Sequence, residues 1–253
     1  VRPTGSKTLL VNEIFGPTWQ GEGPQRGQLS AFVRLGTCNL ACSWCDTPYA
    51  VFYDKRKADK HWSKKVYDPK VELLRMTPAE IVDRVESIVP FNSLVIFSGG
   101  EPAIQQEGIA DVIRIFVQRM WNRFAIETAG TLPLRDLILS MRLSTHLHVT
   151  VSPKLNNSGN DKEDRYKPAI LKGLSYTGAT FKFVVESVSD YKEVHTIIKE
   201  CDITPGQVWI MPEGTHWDDL LDRAENIAPY ALRQGWNFTL RDQILIFGDK
   251  RGT

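Results

Sequence analysis

The stretch TPAEIVDRVESIVPFNSLVIFSGGEP, residues 77–102, holds one complete helix-to-strand unit with both ends marked. Thr77, Pro78 and Glu80 supply a helix cap, a first-turn proline and a capping-box glutamate at the proper offsets. Ile81, Val85, Ile88 and Val89 then recur at helical spacing, and SLVIF at 93–97 is a short apolar, β-branched run that predicts a strand. The small polar turn SGGEP closes the unit.

Working outward, the same signals recur. SAFVRL (30–35), RFAIE (123–127), LHVTV (147–151), TFKFVV (180–185) and QVWIM (207–211) bring the predicted strands to six. Helical spacing lies between them: Val112, Ile113, Phe116, Val117 and Met120; Val194, Ile197 and Ile198; Leu220, Leu221 and Ala224. Such alternation predicts an α/β chain with a parallel sheet and right-handed crossovers, and six units suggest a partial barrel rather than the complete eight-unit one. Parallel sheets place their sites at the carboxyl ends of strands, which here read SGGEP, ETAGT, VSPK and MPEG. QILIF, at 243–247, also reads as strand-like. Residues 49–76 break the alternation with a run dense in Lys and Arg between 55 and 65, expected to be a solvated excursion beside the site.

The chain has 253 residues, and one domain spanning 1–253 is the expectation. Lys plus Arg number 31 against 30 for Asp plus Glu, so nothing in the balance demands a nucleic acid or a membrane as partner. No run of apolar residues reaches membrane-helix length and VRPTGSKTLLVNEIF lacks the features of a signal peptide, which points to the cytoplasm. Three of the four cysteines, Cys38, Cys42 and Cys45, fall within CNLACSWC, while Cys201 stands alone, so the thiols read as ligands in a reducing compartment. Zinc would accept three thiolates with a fourth ligand from elsewhere, His61 or Cys201 being candidates. A 4Fe-4S cluster would instead leave one iron open. Trp209 and Trp236 read as core residues.

GTCNLACSWCDT, with the aromatic Trp44 before its last cysteine, resembles the cluster loop of the radical S-adenosylmethionine (SAM) superfamily, and SGGEP resembles that superfamily's glycine-rich turn. The resemblance implies a 4Fe-4S cluster on Cys38, Cys42 and Cys45, its open iron chelated by the amino and carboxylate groups of SAM, and cleavage to a 5'-deoxyadenosyl radical. EIFGPTWQGEGPQRGQLSAFVRLGTCNLACSWCDT, followed in order by SGGEP, ETAGT, VSPK, FKFV, MPEG and GDKRG, is similar to the 7-carboxy-7-deazaguanine synthase family. That resemblance implies a carbon–nitrogen lyase of 7-deazapurine, queuosine-type biosynthesis. Its reaction contracts the ring of 6-carboxy-5,6,7,8-tetrahydropterin, with hydrogen abstraction at carbon 6 and loss of ammonia.

By the same resemblance Trp19, Gln20, Gly21, Arg34 and Ser98 would meet the substrate, and Thr47 would hold a magnesium ion. Trp44, Cys45, Asp46, Gly100, Glu127, Ser152, Pro153, Lys154, Met211, Pro212, Glu213 and Gly214 would meet SAM. A planar guanidinium at Arg34 suits a carboxylate, an amide at Gln20 can read a pterin edge, and magnesium accepts oxygen ligands. A homodimer and a flavodoxin-like or other electron donor are implied as well, and GDKRGT would fold over the substrate. The chain departs from the family in its long 49–76 segment and in Ala129, where asparagine is common. Two other readings share parts of the pattern: a radical activase acting on a partner protein, and a zinc-stapled binding module.

Overall fold

The computed structural model describes residues 8–134, 141 and 145–253. Each predicted strand is present within a residue or two: β2 Leu29–Leu35, β4 Leu94–Gly99, β5 Arg123–Thr128, β6 His146–Val151, β7 Thr180–Val185 and β8 Val208–Pro212. Each pairs in parallel with the next, and a short β9, Asn237–Phe238, extends the series. On the other side β1, Leu9–Trp19, runs antiparallel to β2 and to β3, Leu74–Met76. Among the described residues the sheet order is β3-β1-β2-β4-β5-β6-β7-β8-β9, an open sheet and so a partial barrel.

The alternation of side chains divides the strands between two cores. On β4, Val95 and Phe97 face outward to the helices, whereas Leu94 and Ile96 face inward with Ala125 and Phe32. Both faces of β4 are therefore dry, which explains its unbroken apolar run. The helices Pro78–Glu86, Gln106–Gln118, Pro168–Tyr176, Tyr191–Glu200 and Trp217–Arg233 cover the outer face through residues such as Ile81, Val112, Phe116, Leu171, Val194 and Ile227. The expected capping box is formed: Glu80 N–H donates to Thr77 Oγ1 at 3.3 Å and Thr77 N–H to Glu80 Oε2 at 2.7 Å. No helix among the described residues is long and apolar enough to cross a membrane.

Two expectations are corrected. QILIF is not a strand: Asp242–Phe247 is a helix that buries Ile244 while Leu245 and Ile246 stay half exposed. A short apolar run fits either element, and hydrogen bonding beyond β9 is absent among the described strands. The 49–76 segment is more than a solvated excursion. Most of its charges face water, but Ala50, Val51, Phe52 and Ala58 form a second small core with Ala41, packed against Cys38 and Cys45, and the segment ends as β3 on the sheet edge. Replacing Phe52 by Ala, a fully buried ring, should destabilise this region by about 3–5 kcal/mol and lower iron retention. Denaturation and iron analysis would measure both, and an unchanged pair would return the segment to a passive loop.

Candidate active site

Above the inner apolar layer the inward positions turn polar. Arg34 on β2 is in register with Ser98 on β4, Glu127 on β5 with Thr150 on β6, and Lys182 and Val184 on β7 point into the same space. Together with the loops that follow the strands they enclose a cavity of about 520 Å³. Its position at the carboxyl ends of parallel strands is where such sheets carry their sites.

All three clustered cysteines line this cavity. Each sulfur has a hydrogen-bonding neighbour: Leu40 N–H donates to Cys38 at 3.4 Å, the Asn160 amide to Cys42 at 3.2 Å, and the Thr47 hydroxyl lies 3.7 Å from Cys45. Burial pushes the Cys38 thiol up to about 12 and raises Cys42 and Cys45 as well. Thiolates here need a cationic group beside them, and a metal centre supplies one. Neither candidate fourth ligand is free to join them. His61 Nε2–H donates to the Cys45 carbonyl at 2.9 Å and its Nδ1 meets Ser63 Oγ at 2.8 Å, so both ring nitrogens are occupied. Cys201 is buried against Tyr166 and the Pro168 carbonyl. Nor do any three His, Cys, Asp or Glu side chains among the described residues gather as a single metal ion requires. Three thiols on a cavity wall fit a larger, thiolate-bound iron–sulfur group with one position open to the cavity.

Gly99 and Gly100 serve a close approach of two segments of the chain. Gly99 has φ +112°, and a Cβ on Gly100 would sit 1.7 Å from the Thr37 carbonyl oxygen, next to Cys38. The turn is tied to that loop by Gly100 N–H to Leu35 O at 2.9 Å and Glu101 N–H to Thr37 O at 2.8 Å. Buried Glu101 then accepts from Ala103 N–H, Thr128 Oγ1–H and Ala129 N–H, joining the ends of β4 and β5. The contact that position 129 makes with Glu101 comes from its backbone N–H and does not depend on the side chain.

The QGEG segment is held mainly by charge. Glu22 is bound by Lys182, by Arg241 Nε–H at 2.8 Å and by the Gln243 amide at 2.6 Å. Although burial opposes ionisation, the two cations hold its carboxyl well below the usual range. Arg241 also donates to Gly214 O at 2.6 Å and pairs with Asp46. The Gln20 amide donates to Glu127 Oε1 at 2.9 Å, and its oxygen accepts from Glu22 N–H at 3.2 Å. Arg34 donates through Nε to Glu13 at 2.7 Å and lies over the rings of Phe15 and Tyr49. Arg251, in the tail, meets the other Glu13 oxygen at 3.0 Å and Glu72 at 2.8 Å, with Tyr49 beneath it.

The cavity wall gathers Trp19, Gln20, Gly21, Arg34, Cys38, Cys42, Trp44, Cys45, Asp46, Thr47, Ser98, Gly100, Glu127, Ser152, Lys154, Met211, Pro212, Glu213 and Gly214. Pro153 is not part of it: Ser152 and Lys154 lie on the wall, while the proline between them is buried away from the lining. Asp46 and Glu213 are already engaged, with Arg241 and Arg223. Trp236 is in the core; Trp209 is half buried on β8, and neither lines the cavity. Sequence reasoning passed over Glu13, Glu22, Tyr49, Asn160, Lys182, Arg241 and Arg251. Three of them carried a signal: Glu22 within QGEG, Arg251 within GDKRG, and Lys182, a lysine inside the otherwise apolar strand TFKFVV.

Residues 33–215 match the model of the radical SAM superfamily. The chain is 31% identical over 261 residues to a 7-carboxy-7-deazaguanine synthase of Rhodopirellula baltica, covering 97% of this chain and 89% of the relative. It is 32% identical over 249 residues to the synthase of the same name from Hyperthermus butylicus, covering 94% of this chain and 92% of the relative. The crystal structure of QueE from Escherichia coli has the same fold, with a TM-score of 0.65 over 92% of this chain and 93% of that one at 21% identity.

Replacing Glu22 by Gln leaves Lys182 and Arg241 buried without their shared anion and should destabilise the fold by about 3–5 kcal/mol. Because the folded-state pKa of Glu22 is depressed, its contribution is in place above the ordinary carboxylate range and is lost as pH falls below it. The stability difference between the parent and Glu22→Gln should therefore be full at neutral pH and shrink in acid. A difference that stayed constant with pH would contradict the ion-pair account.

Proposed function

The chain belongs to the radical SAM superfamily and, within it, to the 7-carboxy-7-deazaguanine synthase family, and from this premise we propose that it converts 6-carboxy-5,6,7,8-tetrahydropterin to 7-carboxy-7-deazaguanine with loss of ammonia. The observation that carries the reading is the meeting, in one cavity, of three thiols lacking a fourth protein ligand with a guanidinium suited to a carboxylate. Cys38, Cys42 and Cys45 would hold a 4Fe-4S cluster. When bound, that cluster and SAM supply the one-electron chemistry that yields the radical needed to take a hydrogen atom from the substrate.

The chain's own residues bind, orient and exclude water. Glu13 fixes Arg34 through Nε, and stacking on Phe15 and Tyr49 sets the guanidinium plane, so its remaining N–H groups are aimed at a substrate carboxylate. Ser98 and the Trp19–Gly21 segment form the adjoining wall for the pterin. Gly100, Glu127, Ser152, Lys154 and the Met211–Gly214 turn form the wall for SAM, with Trp44 and Asp46 beside Cys45. Thr47 lies on the cavity wall and its hydroxyl oxygen would serve as a ligand to a magnesium ion, which would supply positive charge for the substrate carboxylate. Arg251 draws the tail across the mouth. The chain would act as one radical SAM domain in the cytoplasm, as a homodimer, with its product entering queuosine-type 7-deazapurine synthesis.

The test is anaerobic reconstitution with iron and sulfide, then reduction and addition of SAM, magnesium and 6-carboxytetrahydropterin. 7-Carboxy-7-deazaguanine should be detected by mass spectrometry. 5'-Deoxyadenosine without it would overturn the substrate assignment and favour an activase, and a colourless zinc protein would overturn the radical reading. Arg34→Ala should raise the KM for substrate roughly 10- to 150-fold, the value of one charge-assisted hydrogen bond, without altering iron content. Loss of iron with normal pterin binding would refute that role.

A further inference from the structure

Asp54 to Lys65 contains six Lys or Arg against two Asp, in a chain whose net charge is +1. Lys55, Arg56, Lys60, Lys64 and Lys65 are exposed, and among the described residues only Lys60 of these five has a carboxylate within reach, Asp161 at 3.9 Å. The cations are not on a loose loop. The segment is anchored by its own buried core of Val51, Phe52 and Ala58, and it is bonded to the cysteine loop at three points. Lys57 Nζ donates to the Cys38 carbonyl, Trp62 N–H to Ser43 O at 3.1 Å, and His61 Nε2–H to Cys45 O at 2.9 Å. Trp62 is 77% exposed yet lines the cavity rim, so the segment reaches from the thiol-lined wall to solvent.

We propose that this basic face is the docking surface for an acidic flavodoxin-type electron carrier. It rests on the three thiols holding a redox iron–sulfur group, which must receive one electron from outside before any radical can form. A basic face bonded through two peptide carbonyls to cluster-ligating cysteines brings an acidic donor up beside the loop that holds that group and steers its encounter. The exposed Trp62 indole offers a flat apolar contact for the edge of a flavin. One electron moves: the carrier's anionic flavin hydroquinone becomes its neutral semiquinone with no proton released, and the iron–sulfur group is reduced by one.

The test compares the reconstituted full chain with a Lys55→Glu, Arg56→Glu, Lys60→Glu triple variant, by anaerobic stopped-flow bleaching of the cluster absorbance. Two reductants are used: bacterial flavodoxin hydroquinone and photoreduced 5-deazaflavin, which needs no docking surface. With flavodoxin, the parent rate should fall with ionic strength and the variant should be slower by roughly tenfold or more at low salt. With deazaflavin both should bleach alike at equal iron content. Equal flavodoxin rates would overturn the docking surface, as would equal slowing with both reductants. Faster reduction by an acidic ferredoxin through the same face, with flavodoxin inert, would overturn the partner. A parent protein that holds no iron would instead overturn the iron–sulfur reading beneath it.

Discussion

An open sheet cannot enclose a cavity unless its two sides are drawn together, and in this chain the connection is made around the Glu22 carboxylate. The sheet runs from β3 to β9 without closing. Glu22, in the β1–β2 connection, meets Lys182 on β7 and Arg241 beyond β9, while Gly23 N–H donates to Thr239 Oγ1 at 3.0 Å and Asp242 N–H to Gly21 O at 3.1 Å. Taking these charges out of water opposes folding, and an apolar replacement of equal volume could be as stable. What the ions add is position. Two carboxylates, Glu22 and Asp46, balance two cations, Lys182 and Arg241, and each partner comes from a different stretch of chain.

The thiol side is governed by desolvation. Burial holds all three cysteines toward the neutral thiol, so the pocket disfavours thiolates until a cation arrives. The 49–76 segment deepens this by packing its small core on Cys38 and Cys45. It also accounts for His61: a buried imidazole whose two nitrogens serve Cys45 O and Ser63 braces the loop, and the same desolvation lowers its pKa.

The parallel strands were legible because each is a short apolar run with turn residues at its ends, and the thiols because their spacing is local. β1 was not. Register shifts between Val11 and Glu13 and between Phe15 and Thr18 break its alternation, and Gly16 and Pro17 read as a turn. The helix at Asp242–Phe247 was misread because four apolar residues in a row carry no period. In the site, residues on strand ends were within reach of sequence reasoning, since parallel topology says where they point. Glu13 and Arg241 were beyond it: their partners lie far along the chain, and nothing local distinguishes them from solvated charges.

Arg241 shows why such residues matter. Its Nε and two terminal nitrogens reach Glu22, Gly214 and Asp46. One planar group thereby joins the QGEG connection, the turn after β8 and the residue that follows Cys45. A lysine could place a charge there but not three donors at fixed angles in one plane. The pterin side of the cavity and the cluster side are built from separate stretches of sequence, so their spacing is set by whatever spans them. Both sides of this cavity are referred to a single guanidinium, and a shift of Asp46 on one side must be felt at Glu22 on the other.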